Sequence, residues 1–231
     1  MSGLSGCKAP LHHFQEEGYN KEMKVKKYPQ SHLLITGNST KIIIDPGYIT
    51  FDKGYKMEEF QGMDGYLITH HHGDHMDPER IKEIVGKNKV YGNSDVVEKL
   101  KGLGVESIQV ENGQPFKIGE FEIIPYNLAH FPHPLGNPMP PNTGYVVGGV
   151  FFHAGDGYEL AGVEVDNVAL PIGHPSLSTT QVLNFARSLK AKLVIPIHYD
   201  VYLRDPEELI RYAKELSIEV RPLKSGEETV I

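Results

Sequence analysis

Short apolar runs closed by turn residues recur along the chain. "HLLITG" and "KIIIDPG" are two such runs, and the "NST" between them is typical of a hairpin loop. "GYLIT" (65–69) has the composition of a buried strand and leads directly into a group of histidines. Further runs of this kind follow in the second half, among them "NVALPIG" and "KLVIPIHY". The pattern predicts a chain rich in strands.

Helical segments alternate with these strands. Asp77-Pro78 predicts a helix start, because Asp is a favourable N-cap and Pro suits the first helical position. We expect this helix to run to about Val85, with Ile81 and Ile84 on the same face as Val85. "STTQVLNFARSLKA" predicts a later helix with a Ser or Thr cap, and "DPEELIRYAKELS" repeats the Asp-Pro start. β-rich blocks therefore alternate with helices throughout.

Polar side chains stand where several of the predicted strands end. Loops at one edge of a sheet are a common place for a binding or catalytic site. The chain therefore carries its candidate chemistry at these strand ends: Asp45, Thr69, His130, Asp156 and His198.

The N-terminal stretch to about Glu22 has no clear period and differs from the rest of the chain. We interpret residues 1–22 as an extension, a tag or a misassigned start, with His12 and His13 exposed to solvent. Residues 23–231 have a length that suits a single domain. The proline-rich stretch 131–142 is interpreted as a surface loop within that domain.

Charge and cysteine content narrow the class of protein. Lys plus Arg is 23 and Asp plus Glu is 30, which gives a formal net charge of −7 and makes nucleic acid a poor partner. Lys24, Lys26 and Lys27 form a small basic group that we interpret as a solvated strand edge. Cys7 is the single cysteine, so the chain forms no internal disulfide, which fits the reducing cytoplasm.

The hydropathy of the chain also favours a cytoplasmic location. No apolar run approaches the roughly 20 residues that span a bilayer. The first residues lack the apolar core of a secretory signal. We therefore expect a cytoplasmic protein without a membrane partner, and its oligomeric state stays open.

The densest chemical signal is "ITHHHGDHMDP" (68–78). Alternation along an extended loop puts His70 and His72 on one side, where they can share one ion, and His71 on the other. Asp74 and His75 follow one turn further on, suited to a second ion. Imidazoles combined with a carboxylate suit zinc, and also manganese or iron.

Three further candidate ligands each end a strand-like run. "NLAHFPH" supplies His130, with His133 as a rival three residues later. "FFHAGDG" supplies Asp156 and "IPIHYD" supplies His198. A polar loop would explain the first cluster alone, but three matching partners make a metal site the stronger hypothesis.

This order of residues, HxHxDH followed by His, Asp and His, resembles the metallo-β-lactamase superfamily. The resemblance covers about residues 32–200 and implies an α/β fold, the four-layer αββα sandwich. "TGYVVGGVFFHAGDG", "LPIGHPSLS" and "AKLVIPIHYD" together resemble one branch, the small metal-dependent hydrolases related to L-ascorbate 6-phosphate lactonase.

The resemblance also implies a ligand set for two divalent metal ions, with zinc expected first and manganese or iron as alternatives. One ion would take His70, His72 and His130, the other would take Asp74, His75 and His198, and Asp156 would bridge them. A hydroxide shared by the ions would attack a carbonyl or phosphorus centre. Asp74 is the candidate catalytic residue that orients this hydroxide or accepts its proton. Asp45 would accept a hydrogen bond from a ligand imidazole.

Two histidines outside this set are candidates for contact with the substrate. His133 lies in the proline-rich loop, and His174 lies in "IGHPSLST", where the related hydrolases usually show Gly and an aromatic residue. "HYDVYLRD" also departs from the branch, which more usually has Asn-Thr-Phe after the His-Tyr pair. His174 is therefore a substrate contact, a substitute ligand or a loop residue.

The leading functional hypothesis is a dinuclear metal-dependent hydrolase of a small ester-like molecule, a lactone or a phosphoester. The alternative from another class is a metal-binding sensor or scaffold without turnover. Phosphodiesterase or nuclease and thioesterase activities are alternatives among enzymes. The bridging cysteine of true β-lactamases is missing, and His72 stands where oxygen-reducing diiron members carry Glu. We also expect no RNA-gripping arm, and no appended glutathione-binding domain after His198.

Overall fold

The computed structural model describes residues 22–202 and 204–231. Within these ranges, one sheet contains seven strands in the spatial order β14-β1-β2-β3-β4-β5-β6. Their bounds are β1 (Lys24–Lys27), β2 (Leu33–Thr36), β3 (Lys41–Ile44), β4 (Gly65–Leu67), β5 (Val90–Gly92), β6 (Ser107–Gln109) and β14 (Glu228–Val230). The sheet is mixed, since β1, β2 and β3 pair antiparallel whereas β3 to β6 pair parallel.

A second sheet of the described chain has the order β13-β12-β11-β10-β9-β8-β7. Its strands are β7 (Phe116–Ile118), β8 (Phe121–Leu128), β9 (Asn142–Val147), β10 (Phe151–His153), β11 (Asn167–Pro171), β12 (Leu193–Ile197) and β13 (Glu219–Val220). β7 to β10 pair antiparallel, and β10 to β13 pair parallel. Each sheet thus combines a hairpin half with a parallel half.

Helices cover the outer faces of both sheets. The helical segments on the first sheet are α1 (Tyr48–Asp52), a 3₁₀ turn (Met57–Phe60), α2 (Pro78–Val85) and α3 (Ser94–Leu100), and those on the second are α4 (Thr179–Ser188) and α5 (Glu207–Glu215). Three apolar cores separate the layers: one under the first helices around Tyr66, one between the sheets around Phe121 and Phe151, and one under α4 and α5 around Val168. The predicted αββα sandwich is confirmed.

The parallel halves explain where the polar strand ends meet. Ile44 of β3 pairs with Leu67 of β4, so the residues that follow these two strands emerge side by side. Pro171 of β11 likewise pairs with Ile197 of β12. Because parallel strands end at the same edge of a sheet, the side chains that follow β3, β4, β10, β11 and β12 gather at one edge of the sandwich.

Local signals predicted several elements correctly. The two runs around "NST" form the β2–β3 hairpin. α2 begins at Pro78, and the Asp77 side chain accepts a hydrogen bond from the Arg80 amide at 3.2 Å. The second Asp-Pro pair behaves differently. Pro206 there is already helical in conformation and α5 begins one residue later, while Asp205 accepts from the Glu207 amide at 2.9 Å.

The interpretation of the lysine group as a solvated strand edge was wrong. β1 is paired on both sides, with β2 and with β14. Lys27 is completely buried, and its ammonium lies 2.7 Å from the Asp200 carboxylate. Pairing with a carboxylate is what allows a charged lysine to be buried. Lys24 does remain at the surface, paired with Glu228.

The N-terminal segment was predicted to be an extension with two exposed histidines. Residues 1–21, with His12 and His13, lie outside the described ranges, so the N-terminal extension and the single-domain division stay predictions. Among the helices of the described residues, none is both long and apolar enough to cross a membrane.

Candidate metal centre

The loop after β4 carries the histidine cluster and is held by its own backbone. The amides of His75 and Met76 both donate to the carbonyl of His72, at 2.9 and 2.8 Å, which closes the loop into a turn before α2. Gly47, which precedes α1, packs directly on this turn. A Cβ at Gly47 would lie 2.0 Å from the carbonyl oxygen of Asp74, so only glycine permits this approach.

One group of candidate ligands is formed by His70, His72, His130 and Asp156, whose potential ligand atoms all lie within 4.8 Å of one another. His70 Nε2 lies 3.1 Å from His72 Nδ1. His130 Nε2 lies 3.3 Å from Asp156 Oδ2, and His70 Nε2 lies 3.8 Å from the same oxygen. Three imidazoles and a carboxylate thus converge from three separate strand ends.

A second group of the same compactness contains Asp74, His75 and His198. His198 Nε2 lies 3.2 Å from Asp74 Oδ2, and His75 Nε2 lies 3.8 Å from it. Asp156 reaches this group as well. Its Oδ1 lies 3.3 Å from His75 Nε2 and its Oδ2 lies 3.4 Å from His198 Nε2. The Asp156 carboxylate therefore stands between the two groups.

Burial keeps the first group of imidazoles neutral. It lowers the pKa of His70 well below the ordinary value, and the neighbouring imidazoles His75 and His130 add to that shift. Burial also lowers the pKa of His130 to about 4, against the opposing charge of Asp156. Metal ligation requires the unprotonated imidazole, so these rings are in the ligating form at neutral pH.

The second group favours positive charge at its centre. Burial alone would lower the pKa of His75, but the carboxylates of Asp156, Asp74 and Asp45 outweigh it and raise that pKa well above the ordinary value. Burial would raise the pKa of Asp74, but His75 and His198 hold it well below the usual range. A buried position at which carboxylates stabilise a proton this strongly also stabilises a metal cation.

Orphaned polar atoms test whether the residues fit a metal. Within the described part of the chain, His75 Nε2, His130 Nε2 and Asp156 Oδ1 are buried and have no hydrogen-bond partner. A buried polar atom without a partner is costly, by about 1–3 kcal/mol. His75 Nε2 and His130 Nε2 each lie 3.3 Å from an oxygen of the Asp156 carboxylate, and imidazole nitrogen with carboxylate oxygen is a donor set that suits divalent zinc, manganese or iron. The residues present fit bound divalent metal.

Asp45 supports this arrangement from behind. Its carboxylate accepts from the Thr69 amide at 2.8 Å and from the Thr69 hydroxyl at 2.7 Å, and it lies 2.8 Å from His75 Nδ1. A proton on His75 Nδ1 leaves Nε2 with its lone pair toward the centre. Asp45 also has a φ of 53°, a left-handed conformation that Asp tolerates better than most residues.

Another supporting residue, Gln30, is not marked by any sequence motif. Its side-chain amide donates to Asp74 Oδ2 at 3.4 Å. Its backbone carbonyl oxygen accepts from the backbone amide of His198 at 3.1 Å. The backbone amide of Gln30 donates to the Asp200 carboxylate at 2.8 Å, and Asp200 is the ion-pair partner of buried Lys27. Gln30 thus contacts both chain segments that contribute to the second group. No motif marks it, because its partners lie 44 and about 170 residues away.

The remaining histidines divide by position. His71 lies outside both groups, with Nδ1 2.7 Å from the Asp95 carboxylate. His133 lies on the loop, where its Nδ1 accepts from the Leu135 amide at 3.1 Å, and it belongs to neither group. His174 is buried and stacks on Phe131, with ring centroids 4.0 Å apart. Geometry therefore favours His130 over His133 as the ligand, and sets His174 beside the centre.

A family model described as "Beta-lactamase superfamily domain" matches residues 24–198 of this chain. The chain belongs to the metallo-β-lactamase superfamily. Among curated proteins, the UPF0173 metal-dependent hydrolase of Nanoarchaeum equitans is 34% identical over 230 residues, covering 89% of this chain and 99% of the relative. That of Pyrococcus furiosus is 33% identical over 215 residues, covering 82% and 91%. These identities and coverages place the chain with the UPF0173 metal-dependent hydrolases.

Solved structures of the superfamily share the fold. Igni18, a metallo hydrolase from Ignicoccus hospitalis, superposes with a TM-score of 0.72 at 22% identity, covering 91% of this chain and 98% of that one. The metallo-beta-lactamase fold protein YhfI from Bacillus subtilis gives 0.68 at 16% identity, with 91% and 100% covered. Identities this low establish the fold alone. The narrower resemblance to the ascorbate-phosphate lactonase branch stays a prediction.

Proposed function

We propose that this metal-dependent hydrolase is dinuclear and cleaves small ester-like molecules, lactones or phosphoesters, with hydroxide as the nucleophile. The observation that carries the proposal is the position of Asp156. One of its oxygens lies within 3.8 Å of ligand nitrogens of the first group and both lie within 3.4 Å of nitrogens of the second. A carboxylate so placed can bridge two ions.

The proposal divides the ligands as the two groups do. His70, His72 and His130 hold one ion, Asp74, His75 and His198 hold the other, and Asp156 is shared. We propose zinc, with manganese or iron fitting the same donors. When bound, two divalent ions supply Lewis acidity and make hydroxide available from water at neutral pH.

The side chains around the ligands have separate tasks. Asp74 stays ionised because His75 and His198 hold its pKa well below the usual range, so its carboxylate is a hydrogen-bond acceptor that orients the attacking water. The Asp74 side chain keeps 23% of its surface exposed, unlike the buried ligands around it, so water and substrate can reach it. Asp45 keeps His75 in the tautomer with Nε2 free toward the centre.

The net charge of the protein also favours a small-molecule substrate over a nucleic acid. The net charge of −7 opposes association with a nucleic acid backbone. The single cysteine agrees with work in the reducing cytoplasm, which we propose as the location.

The test is metal analysis combined with a substrate panel. The purified protein is expected to carry about two ions per chain, as a two-metal site requires. It is expected to hydrolyse at least one ester, lactone or phosphoester, to lose this activity with a chelator and to regain it with zinc. Protein that holds two ions and turns over none of the panel would favour the sensor or scaffold alternative.

A further inference from the structure

Aromatic rings pack against one flank of the metal centre. The Phe131 ring lies 4.5 Å from that of His130 and 5.6 Å from that of His198, measured between centroids. On its other side Phe131 stacks on His174 at 4.0 Å and 25°. Two candidate ligands are thus in contact with an apolar ring, which is in turn backed by a third imidazole.

Two partly exposed tyrosines lie near the candidate ligands, and one of them, Tyr202, continues the aromatic flank to the surface. Tyr202 stacks on His198 at 5.5 Å and 22° and stands edge-on to His174 at 5.8 Å, while 45% of its surface is exposed. Tyr48 is 43% exposed and covers Gly73, where an added Cβ would lie 3.3 Å from Tyr48 Cδ1. A single exposed tyrosine needs no explanation. Here, however, Tyr202 packs on the candidate ligand His198, and Tyr48 packs on Gly73, which precedes Asp74 in the chain.

Among the described residues, three cations on segments next to the candidate ligands are each engaged by other groups. Lys27 is bound to Asp200 at 2.7 Å. Arg80 contacts the carboxylates of Asp52 and Asp77 at 3.0 and 3.2 Å and also donates to the Tyr48 carbonyl. Arg204 donates to the Leu177 carbonyl at 2.7 Å and to the Thr179 hydroxyl at 3.0 Å. Recognition of a phosphate monoester or a carboxylate usually relies on such Lys and Arg side chains.

We propose that the substrate is an uncharged ester or lactone whose flat apolar or aromatic part rests on Tyr202, beside His174 and Phe131. This inference rests on the proposed hydrolase function and adds the class of substrate to it. The rings offer stacking surface to a flat group. With Lys27, Arg80 and Arg204 engaged, a dianionic phosphate would gain no free side-chain cation from these described segments, and its charge would be balanced by the metal ions alone.

The first experiment varies substrate charge at a constant leaving group. The zinc-loaded protein is assayed with 4-nitrophenyl acetate and diethyl 4-nitrophenyl phosphate, which are uncharged, with the monoanion methyl 4-nitrophenyl phosphate, and with the dianion 4-nitrophenyl phosphate. Each rate is divided by that of zinc-catalysed hydrolysis without protein. We expect the largest acceleration with an uncharged substrate and the smallest with the dianion.

The second experiment tests the ring surface itself. Tyr202→Ala is expected to lower kcat/KM for the aryl lactone dihydrocoumarin about fivefold to tenfold, because a stacking contact is lost. For δ-valerolactone, which has no aromatic ring, the change is expected to stay below about twofold on the same grounds. Comparing variant with parent on each substrate cancels the difference in reactivity between them. Tyr202→Phe keeps the ring and should keep the preference, and Tyr212→Ala removes a similarly exposed tyrosine on α5 as a matched control.

The outcomes distinguish failure of the proposed substrate class from failure of the proposed hydrolase function. Best acceleration of 4-nitrophenyl phosphate would overturn the substrate class and leave the hydrolase standing. Equal effects of Tyr202→Ala on both lactones would overturn the role of Tyr202 in the same way. Absence of turnover with every substrate, in protein that retains its metal, would instead remove the proposed function.

Discussion

His75 Nδ1 lies 2.8 Å from Oδ2 of Asp45, and both side chains are completely buried. Asp45 follows β3 and His75 belongs to the loop after β4, so the contact joins two neighbouring parallel strands at their carboxyl ends. The same Asp45 carboxylate binds the amide and the hydroxyl of Thr69. This single acceptor therefore orients a candidate ligand and anchors the start of the loop that carries three more.

We expect Asp45→Asn to weaken metal binding about tenfold to a hundredfold, the usual cost of losing an outer-shell partner of a ligand histidine. Asn tolerates the left-handed backbone of this position, but its single oxygen cannot serve Thr69 and His75 as the carboxylate does. Chelator competition measures the affinity. Asp64→Asn, which changes a carboxylate that accepts from the Lys41 amide at the surface, is the control. Affinity within about threefold of the parent, well inside that expected loss, would contradict the role of Asp45.

Gln30→Met removes the side-chain hydrogen bonds of Gln30 but retains its length. The contact with Asp74 Oδ2 and the contact with the Val201 amide would both be lost. We expect the metal held by Asp74, His75 and His198 to bind about fivefold more weakly, which corresponds to about 1 kcal/mol, the scale of one ordinary hydrogen bond. A stepwise zinc titration followed by calorimetry resolves the two ions. The prediction fails if both steps weaken equally, and Gln61→Met serves as a surface control.

Asp156→Ala is expected to remove metal from both positions, because this carboxylate contacts nitrogens of both groups. Metal analysis after gel filtration gives the number of ions per chain, and circular dichroism checks that the variant is folded. Asp95→Ala provides the control, since Asp95 pairs with His71 outside the ligand groups. If Asp156→Ala retains two ions, its assignment as the bridge is wrong.

The unfolding free energy of the metal-free protein should fall as pH drops from about 6.5 to about 3, in part through His32. Burial, with smaller effects of Lys27 and His153, lowers the pKa of His32 to about 3 from 6.5. Between these values the unfolded chain binds a proton that folded His32 does not, so stability is full above the window and is lost on acidification. Urea unfolding at several pH values should show a shallower decline for His32→Phe than for the parent. Equal declines in the two proteins would show that His32 contributes nothing to the loss of stability at low pH.

Contacts between neighbours in sequence were predictable from the chain alone. The hairpin of β2 and β3, the start of α2 at Asp77-Pro78 and the buried faces of both follow from apolar spacing and from turn and cap residues. Such signals act within a few residues, so a sequence displays them directly. The family and its sandwich fold were also recognisable, because the candidate ligands occur in a specific order.

Contacts between distant residues were decided by the tertiary structure. Lys27 and Asp200 are 173 positions apart, and the burial of Lys27 inside a strand paired on both sides reversed the expectation of a solvated edge. The contacts of Gln30 and those among the rings of Phe131, His174 and Tyr202 were likewise not predictable from the sequence. They join segments that are distant in the chain and that only packing brings together. The sequence by itself determined which chemical groups are present and which strands they follow. The parallel halves of two facing sheets decided their neighbours, since pairing of strands far apart in the chain sets which strand ends share an edge.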